Sequence, residues 1–146
     1  MRSPLSWVLR EKGTVVHTIP PTASVNTAVS RMAEHGIGSV VVKEGPMVLG
    51  LVTEREVLLR VVGEARDPRT TSVGEIMIPR PAVAAPSTTV VEAMSMMTEC
   101  RTRHLPVVDG IRLVGLVSIG DLTRWLTRDL ADEVDRLECY IRGAYA

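Results

Sequence analysis

Two short motifs in this chain place a hydroxyl residue and an acid three positions apart, each directly after an apolar run. Thr53 precedes Glu56 in the first motif, and Ser118 precedes Asp121 in the second. If a helix begins at the hydroxyl residue, its first backbone N–H groups lack internal partners and favour an anion, to which the hydroxyl also donates. A carboxylate one turn further on can accept bonds from paired hydroxyls, as an acid does for ribose in dinucleotide folds. The arrangement suits a nucleotide.

The same residues have a purely structural interpretation. Ser/Thr-x-x-Glu is also an ordinary capping box, in which the acid reaches back to the amide at the start of the helix. Taken alone, the motif favours capping, and Thr53 with Glu56 fits that interpretation well. Ser118 with Asp121 fits it less well, because aspartate is short for that reach. Asp121 is therefore the better ligand candidate.

The two motifs belong to an internal repeat with an offset of 65 residues (118 − 53 = 65). At this offset the halves align without a gap from Pro21 and Pro86 onward, and they share core-type and turn positions such as Gly50 and Gly115. Core faces and tight turns constrain residue choice more than surfaces do. The pattern predicts two copies of one folding unit.

Each copy is predicted to have the element order β-α-β-β-α. In the first copy a β-branched run is stopped by proline, an apolar helix stripe follows Ser24, and two apolar strands flank a short turn before the last helix. The expected elements of this copy are 14–19, 25–35, 39–42, 48–52 and 54–62. Those of the second copy are 83–85, 90–100, 105–108, 113–117 and 120–127.

These elements predict an α+β fold, with two repeats related by pseudo-two-fold symmetry and a helix at each end. The expected divisions are an N-terminal helix at 1–13, a first repeat at 14–63, a linker at 64–71, a second repeat at 72–127 and a C-terminal helix at 128–146. In the last helix Leu130, Val134, Leu137 and Ile141 form one apolar stripe. That stripe must be buried against the body or another subunit.

Composition argues against several classes of partner. With 17 basic and 17 acidic residues, the chain lacks the long-range field that attracts proteins to nucleic acid or anionic lipid. Aromatic residues make up 3%, so no stacking platform for single-stranded nucleic acid is predicted. No apolar run is long enough for a signal peptide or a membrane span, and the expected compartment is the cytoplasm.

Catalytic and metal chemistry have no recognisable motif here. The sequence contains no GxSxG, P-loop, HExxH or Cys/His pair, so the chain is expected not to be an enzyme, with no catalytic residue and no metal site. Cys100 and Cys139 lack CxxC spacing. They predict buried or partly buried free thiols rather than a disulfide or a metal site.

The tandem units, their Gly-Leu-Val-(Thr/Ser)-x-x-(Glu/Asp) ends and the run Arg103-His104-Leu105-Pro106-Val107-Val108 resemble a pair of CBS domains, the Bateman module. The resemblance covers about residues 14–127. The runs at 75–77, 103–107, 118–122 and 137–143 are similar to those of small bacterial stand-alone CBS-pair proteins with a C-terminal helix. Members of the family bind adenosine nucleotides, commonly AMP or ATP and sometimes NAD(H), in clefts between the repeats. Pairs associate face to face into a disc-shaped homodimer.

Carried over by motif, the resemblance implies that Ser118 contacts phosphate and Asp121 the ribose hydroxyls. In the other cleft Thr53 and Glu56 take these roles. The residues implied to line the adenine side of the Ser118 cleft are Val83, Ala84, His104, Leu105 and Pro106. Those around the base in the Thr53 cleft are Thr18, Ile19, Ser39 and Val40.

The Thr53 motif departs from the family pattern, because Glu56 stands where the family usually has Asp. The extra methylene moves the carboxylate outward by about 1.5 Å, roughly one C–C bond. Arg55 and Arg103 can supply charge for a phosphate by bidentate contact, or can be solvated surface residues.

The sequence thus suggests a non-enzymatic adenine-nucleotide sensor that acts as a homodimer, with an unknown effector protein as a further partner. A nucleotide that bridges the two repeats binds the closed arrangement better and shifts the population toward it. The alternative is a protein-interaction module with degenerate, ligand-free clefts, in which Ser118 and Asp121 only cap a helix.

Overall fold

The computed structural model describes residues 2–144, so Met1, Tyr145 and Ala146 of the expected terminal helices lie outside the described residues. The described chain is α+β, as the sequence predicts. It begins with α1 (Leu5–Lys12). The first repeat then consists of β1 (Thr18–Ile19), α2 (Val25–His35), β2 (Ser39–Glu44), β3 (Met47–Thr53) and α3 (Glu54–Val57), which a π-helical turn (Leu58–Val62) extends.

The second repeat follows a short connecting segment. The connection carries α4 (Val73–Ile76) and β4 (Ile78–Pro79), and the repeat contains α5 (Val90–Cys100), β5 (His104–Asp109), β6 (Arg112–Ser118) and α6 (Ile119–Ala144). One sheet has the strand order β1-β2-β3-β4, with β1 parallel to β2 and the other pairs antiparallel. The other sheet is the antiparallel pair β5-β6.

The two hairpins have the same register at the offset of the repeat. Ser39 pairs with Thr53 in the first hairpin, and His104 pairs with Ser118 in the second. The irregularity after Val42 recurs after Val107. Because the side-chain period of a strand is two, equal registers place equivalent side chains on equivalent faces. Each hydroxyl residue therefore ends its strand in the same orientation.

Local caps define the long helices. Ser24 Oγ accepts the Thr27 N–H at 3.1 Å at the start of α2, and Gly36 ends that helix in the left-handed region at φ 61°. Thr89 and Glu92 form a capping box at the start of α5. These starts, and the burial of one apolar stripe on each helix, agree with the sequence prediction.

Helix α1 packs on the second repeat. The Leu5 N–H donates to Thr88 O at 2.8 Å, and the Val90 N–H donates to Ser3 O at 2.9 Å. Leu5, Val8 and Leu9 are buried in the core of the second repeat. The N-terminal helix is thus part of the half of the fold that is most distant from it in sequence.

Helix α4 packs on the first repeat in the same manner. The Val73 N–H donates to Ala23 O at 2.8 Å, the Val25 N–H donates to Thr71 O at 2.9 Å, and Ile76 is fully buried in the first core. Residues 72–77, which the sequence analysis assigned to the start of the second repeat, therefore complete the core of the first. Helix α1, which precedes the first repeat, thus packs on the second repeat, and helix α4, which precedes the second repeat, packs on the first.

Several expected boundaries differ from the structure. The first strand is limited to Thr18–Ile19, and the expected strand at 83–85 is only an isolated bridge between Ala84 and Val107. The expected helix at 120–127 and the separate C-terminal helix are one continuous helix, α6. No glycine or proline breaks the chain between these segments until Gly143, so nothing ends the helix near 127.

The prediction that the cysteines are buried is wrong. Cys100 and Cys139 are both free and exposed. Cys100 is the last residue of α5, where the apolar stripe has ended, and Cys139 lies on the projecting part of α6, away from its apolar stripe. Among residues 2–144, no helix is both long and apolar enough to cross a bilayer.

Candidate functional site

Two cavities lie between the repeats, and each contains one of the hydroxyl and acid pairs. The Thr53 cleft has a volume of about 500 Å³. The residues that line it come from both repeats: Gly38, Thr53, Glu54, Arg55, Glu56, Ile78, Arg101, Thr102, Arg103 and His104. The volume falls within the range of about 300–1,000 Å³ that is typical of small-molecule pockets.

The Ser118 cleft is smaller, at about 390 Å³. It is lined by Lys12, Val15, Val16, His17, Gly36, Ile37, Gly38, Ser39, His104, Leu116, Ser118 and Asp121. His104 and Gly38 line both cavities, so the two clefts are adjacent and share a wall.

The Thr53 pair forms a capping box. The Thr53 N–H donates to Glu56 Oε2 at 2.8 Å, and the Thr53 hydroxyl donates to the same oxygen. The Arg55 N–H in turn donates to Thr53 Oγ1 at 3.2 Å. Glu56 is 8% exposed, so this carboxylate is largely occupied by the local structure.

The Ser118 pair forms the same box, and the argument that aspartate is too short for the reach is wrong. Asp121 Oδ2 accepts the Ser118 N–H at 2.8 Å and the Ser118 hydroxyl at 2.9 Å, while the Asp121 N–H donates to Ser118 Oγ at 3.2 Å. Direct bonding between the side chains brings the shorter acid close enough to the amide. Capping is therefore a real role of both pairs.

Lys12 enters the Ser118 cleft from the end of α1. Its Nζ donates to Asp121 Oδ2 at 2.6 Å and to Leu116 O at 2.7 Å. Burial acts to raise the pKa of Asp121, but the hydrogen bonds from Lys12 and Ser118 and the charge of Lys12 outweigh it, and the pKa lies below the usual value. Asp121 is thus a carboxylate held by a cation that is 109 positions away.

His104 lies on the wall that the clefts share. Burial lowers its pKa, and the charge of Lys12 lowers it further, against the opposing effects of Asp121, Glu54 and Glu56. With its pKa below the usual value of 6.5, His104 is mostly neutral at pH 7. A neutral imidazole can both donate and accept a hydrogen bond in the cleft.

Three arginines surround the Thr53 cleft. Arg55, Arg101 and Arg103 all line it, and within residues 2–144 none of their guanidinium groups has a hydrogen bond or an ion pair. Arg101 ends α5 in the left-handed region, at φ 51°. Since Glu54 and Glu56 also line this cleft, its charged side chains sum to +1 (3 − 2 = 1), whereas Lys12 and Asp121 of the Ser118 cleft sum to zero (1 − 1 = 0).

The structure brings together only some of the residues that the sequence analysis grouped around each pair. Ser39 lines the Ser118 cleft rather than the Thr53 cleft, Arg103 lines the Thr53 cleft, and His104 lines both clefts. Each hydroxyl and acid pair thus lies in a cleft that both repeats line, because the clefts form where the two repeats meet. The expected cleft of Ser39 was therefore wrong, whereas His104 lines the Ser118 cleft as expected.

Other expected lining residues are in the cores or away from both clefts. Ile19, Val40 and Leu105 are at most 1% exposed, and Ala84 and Pro106 are also buried. Thr18 lies outside both linings, and its carbonyl oxygen accepts a hydrogen bond from Arg31. Val83 is exposed but lines neither cleft. Of these residues, Thr18, Ile19, Val40, Leu105 and Pro106 belong to strands that support the clefts, whereas Val83 and Ala84 lie outside the named strands.

Among the cleft-lining residues that sequence reasoning missed are Arg101, Lys12 and His17. Arg101 lies two positions before Arg103, so the short basic run was a local signal that could have found it. Lys12 and His17 gave no such signal. Both belong to the segment before the first repeat core, and only the docking of α1 on the second repeat brings Lys12 to Asp121.

The fold and its two clefts define a tandem-repeat module whose potential ligand sites lie between its halves. The CBS domain family model matches residues 13–63 and 73–128. The chain therefore belongs to the CBS-domain family and contains two CBS domains. This family comprises regulatory and signal-transduction modules, which in general do not catalyse reactions.

Individual relatives agree with this assignment. The chain is 38% identical over 127 residues to a mitochondrial CBS domain-containing protein, CBSX3, of Arabidopsis thaliana, covering 84% of this chain but only 62% of that protein. It is 34% identical over 109 residues to the CBS domain-containing protein YhcV of Bacillus subtilis, covering 75% of this chain and 77% of that protein. The crystal structure of the CBS-domain containing protein ATU1752 from Agrobacterium tumefaciens has 34% identity and a TM-score of 0.79, covering 85% and 93% of the two chains.

Proposed function

We propose that this protein is a non-catalytic sensor of adenine nucleotides that binds its ligand between the two repeats. The observation that carries the proposal is the set of three guanidinium groups around the Thr53 cleft that have no partner among residues 2–144, beside the hydroxyl of Thr53. Guanidinium groups match the geometry of phosphate oxygens and bind them through charge-assisted hydrogen bonds. A phosphate chain in this cleft would give Arg55, Arg101 and Arg103 the partners that they lack.

The two clefts favour different numbers of phosphates. The Thr53 cleft has the larger volume and the positive sum of charges, so it suits a di- or triphosphate such as ATP, or the pyrophosphate of NAD(H). In the Ser118 cleft the one lysine is already paired with Asp121, so this cleft suits a monophosphate such as AMP. Its ribose hydroxyls would compete with Lys12 for Asp121, and the released ammonium group would then contact the phosphate.

Both repeats contribute to each cleft, and this gives a mechanism of regulation. A ligand that contacts Thr53 on one side and Arg101 or Arg103 on the other binds best when the repeats are close together. It shifts the population toward that arrangement by its difference in affinity between the two states. An effector protein that recognises one arrangement then responds to the nucleotide concentration in the cytoplasm.

A homodimer is part of this proposal. Helices α2 and α3 and the π-helical turn form an apolar groove of about 650 Å³, in which Val29, Met32, Val57, Leu58 and Val62 take part. Leu58 and Val62 are 60% and 69% exposed. An exposed apolar surface of this kind marks an interaction site, and a second copy of the chain would cover it.

The second candidate function is a protein-interaction module with ligand-free clefts. The observation that favours it is that Glu56 and Asp121 already serve as capping acids, with Asp121 also paired to Lys12. In this case the clefts have no small-molecule ligand, and nucleotides leave the stability of the protein unchanged.

Thermal unfolding with AMP, ATP and NADH separates the two candidates. A ligand at about 100 times its dissociation constant stabilises the fold by about 2.7 kcal/mol. For a chain of this size about 2–4 °C corresponds to 1 kcal/mol, so we expect the midpoint to rise by about 5–10 °C. No shift with any of the three ligands would refute the sensor and leave the interaction module.

Matched variants locate the ligand. Arg101→Ala with Arg103→Ala should abolish the shift with ATP, while the control Arg10→Ala with Arg112→Ala changes two exposed arginines that line neither cleft and should retain it. An equal response of both double variants would show that the nucleotide binds elsewhere.

The Ser118 cleft needs a control for the loss of a cap. Asp121→Ala removes the capping acid, the ion pair with Lys12 and the proposed ribose ligand, whereas Glu92→Ala removes only a capping acid at the start of α5. We expect both variants to be less stable by about 1 kcal/mol and only Asp121→Ala to lose its response to AMP.

A further inference from the structure

The C-terminal part of α6 extends beyond the body of the protein. Every residue from Leu130 to Ala144 is exposed, although this part of the chain is a continuous helix. Its 15 residues span about 22 Å at 1.5 Å per residue. Most helical stability in proteins comes from packing of an amphipathic face, and the body leaves this part of the helix exposed.

Four apolar side chains form a narrow stripe along this part of the helix. Leu130, Val134, Leu137 and Ile141 are 40%, 53%, 56% and 54% exposed. Their spacings of four, three and four residues are those of the a and d positions of a heptad, with leucine at d and β-branched residues at a. A stripe limited to a and d is the seam of a coiled coil rather than the wider face that packs on a globular body.

The flanking charges distinguish between the two orientations of such a pair. In a parallel pair Glu133 at g faces Glu138 at e of the other helix, and this like-charge contact occurs twice. In an antiparallel pair centred between residues 135 and 136, Glu133 faces Tyr140, and Ala131 faces Glu138. This orientation avoids both repulsions and lets the Tyr140 hydroxyl donate to Glu133.

We propose that residues 130–144 of α6 pair with the same segment of a second copy of this chain, as an antiparallel two-helix seam. Leu130 then packs against Ile141 of the other helix, and Val134 packs against Leu137. Thr127 packs against Ala144 of the other helix, so each end of the seam is closed by a pair of small side chains. The contact is isologous, so one two-fold axis relates the copies. The pairing requires no ligand and is independent of the clefts.

Cysteine crosslinking of the full chain tests the orientation. The background carries Cys100→Ser and Cys139→Ser, and two variants add Leu130→Cys or Ile141→Cys. In the antiparallel seam the two positions face each other, whereas identical positions are offset along the axis by about 16 Å (11 residues at 1.5 Å each). A disulfide requires Cα atoms within about 7 Å. One variant carries an affinity tag so that mixed dimers can be isolated. We therefore expect a disulfide between the two variants when they are co-expressed and oxidised together. We expect no disulfide when either variant is oxidised by itself.

Each other outcome overturns the proposal. Crosslinking of each variant with itself indicates a parallel pair, and absence of crosslinking in all three samples indicates that the seam does not form. Crosslinking in all three samples indicates random collision.

A second measurement does not depend on cysteine geometry. Leu137→Glu places a charge in the seam, and Cys139→Glu places the same residue on the opposite side of the helix, two positions away. We expect the amides of residues 131–144 to exchange hydrogen at least tenfold faster in Leu137→Glu than in wild type and Cys139→Glu. Equal exchange in all three proteins overturns the proposal.

Discussion

Replacing Gly115 by alanine tests whether α1 packs on the second repeat. A Cβ atom at this position would lie 2.5 Å from Leu9 Cδ2 and 2.7 Å from Leu9 Cδ1. Leu9 is 4% exposed, so its side chain has little space to move. Extra methyl groups in a packed core cost about 1–3 kcal/mol. We expect Gly115→Ala to lose this amount of a total stability of about 5–15 kcal/mol.

The clash with Leu9 makes the prediction specific. Leu9→Ala alone should cost about 2–5 kcal/mol, because it leaves a cavity in the second core. In the double variant the added methyl group of residue 115 occupies part of that cavity and no longer meets the Leu9 methyl groups. The combined loss should therefore be smaller than the sum of the single losses by about 0.5–3 kcal/mol.

Urea unfolding of wild type, Gly115→Ala, Leu9→Ala and the double variant measures the coupling energy between the two positions. The denaturant slope checks that the unfolding transition is unchanged. Gly143→Ala is the matched control, since a Cβ there would meet no atom within 4 Å. Alanine in a helix is favoured over glycine by about 1 kcal/mol, so the control should be neutral or stabilising. Additive losses in the double variant, or no loss in Gly115→Ala, would refute the packing of α1 on this strand.

Two other predictions concern the site and the caps. Because burial lowers the pKa of His104 below 6.5, the unfolded chain binds more protons than the folded chain below that pH, and stability should decrease as pH falls below 6.5. His104→Gln should reduce this dependence between pH 7.5 and 5 in urea unfolding, and an unchanged pH profile would contradict the inferred burial. Thr89→Ala should cost about 1 kcal/mol by removing the cap of α5, whereas Ser95→Ala on the exposed face of that helix should be within about 0.5 kcal/mol of wild type. Equal thermal midpoints for these two variants would show that the cap does not stabilise the fold.

The sequence determined the elements and the internal symmetry. The offset of 65 residues predicted equal hairpins, and the registers of Ser39 with Thr53 and of His104 with Ser118 agree with it. The caps of α2 and α5 were recognisable because a cap involves residues within four positions of each other. The apolar stripe of the C-terminal helix was also visible in the sequence, although the continuity of this helix with the last helix of the second repeat was not.

Only the tertiary structure decided which surfaces meet. The two repeats present similar strands at Gly50 and Gly115, so local patterns do not show whether α1 packs on its own repeat or on the other. The packing of α1 on the second repeat places Lys12 beside Asp121, 109 positions away, and both clefts are lined by residues of both repeats. Such contacts depend on the path of the whole chain and on the burial that one arrangement achieves over another. No short window of sequence contains that information.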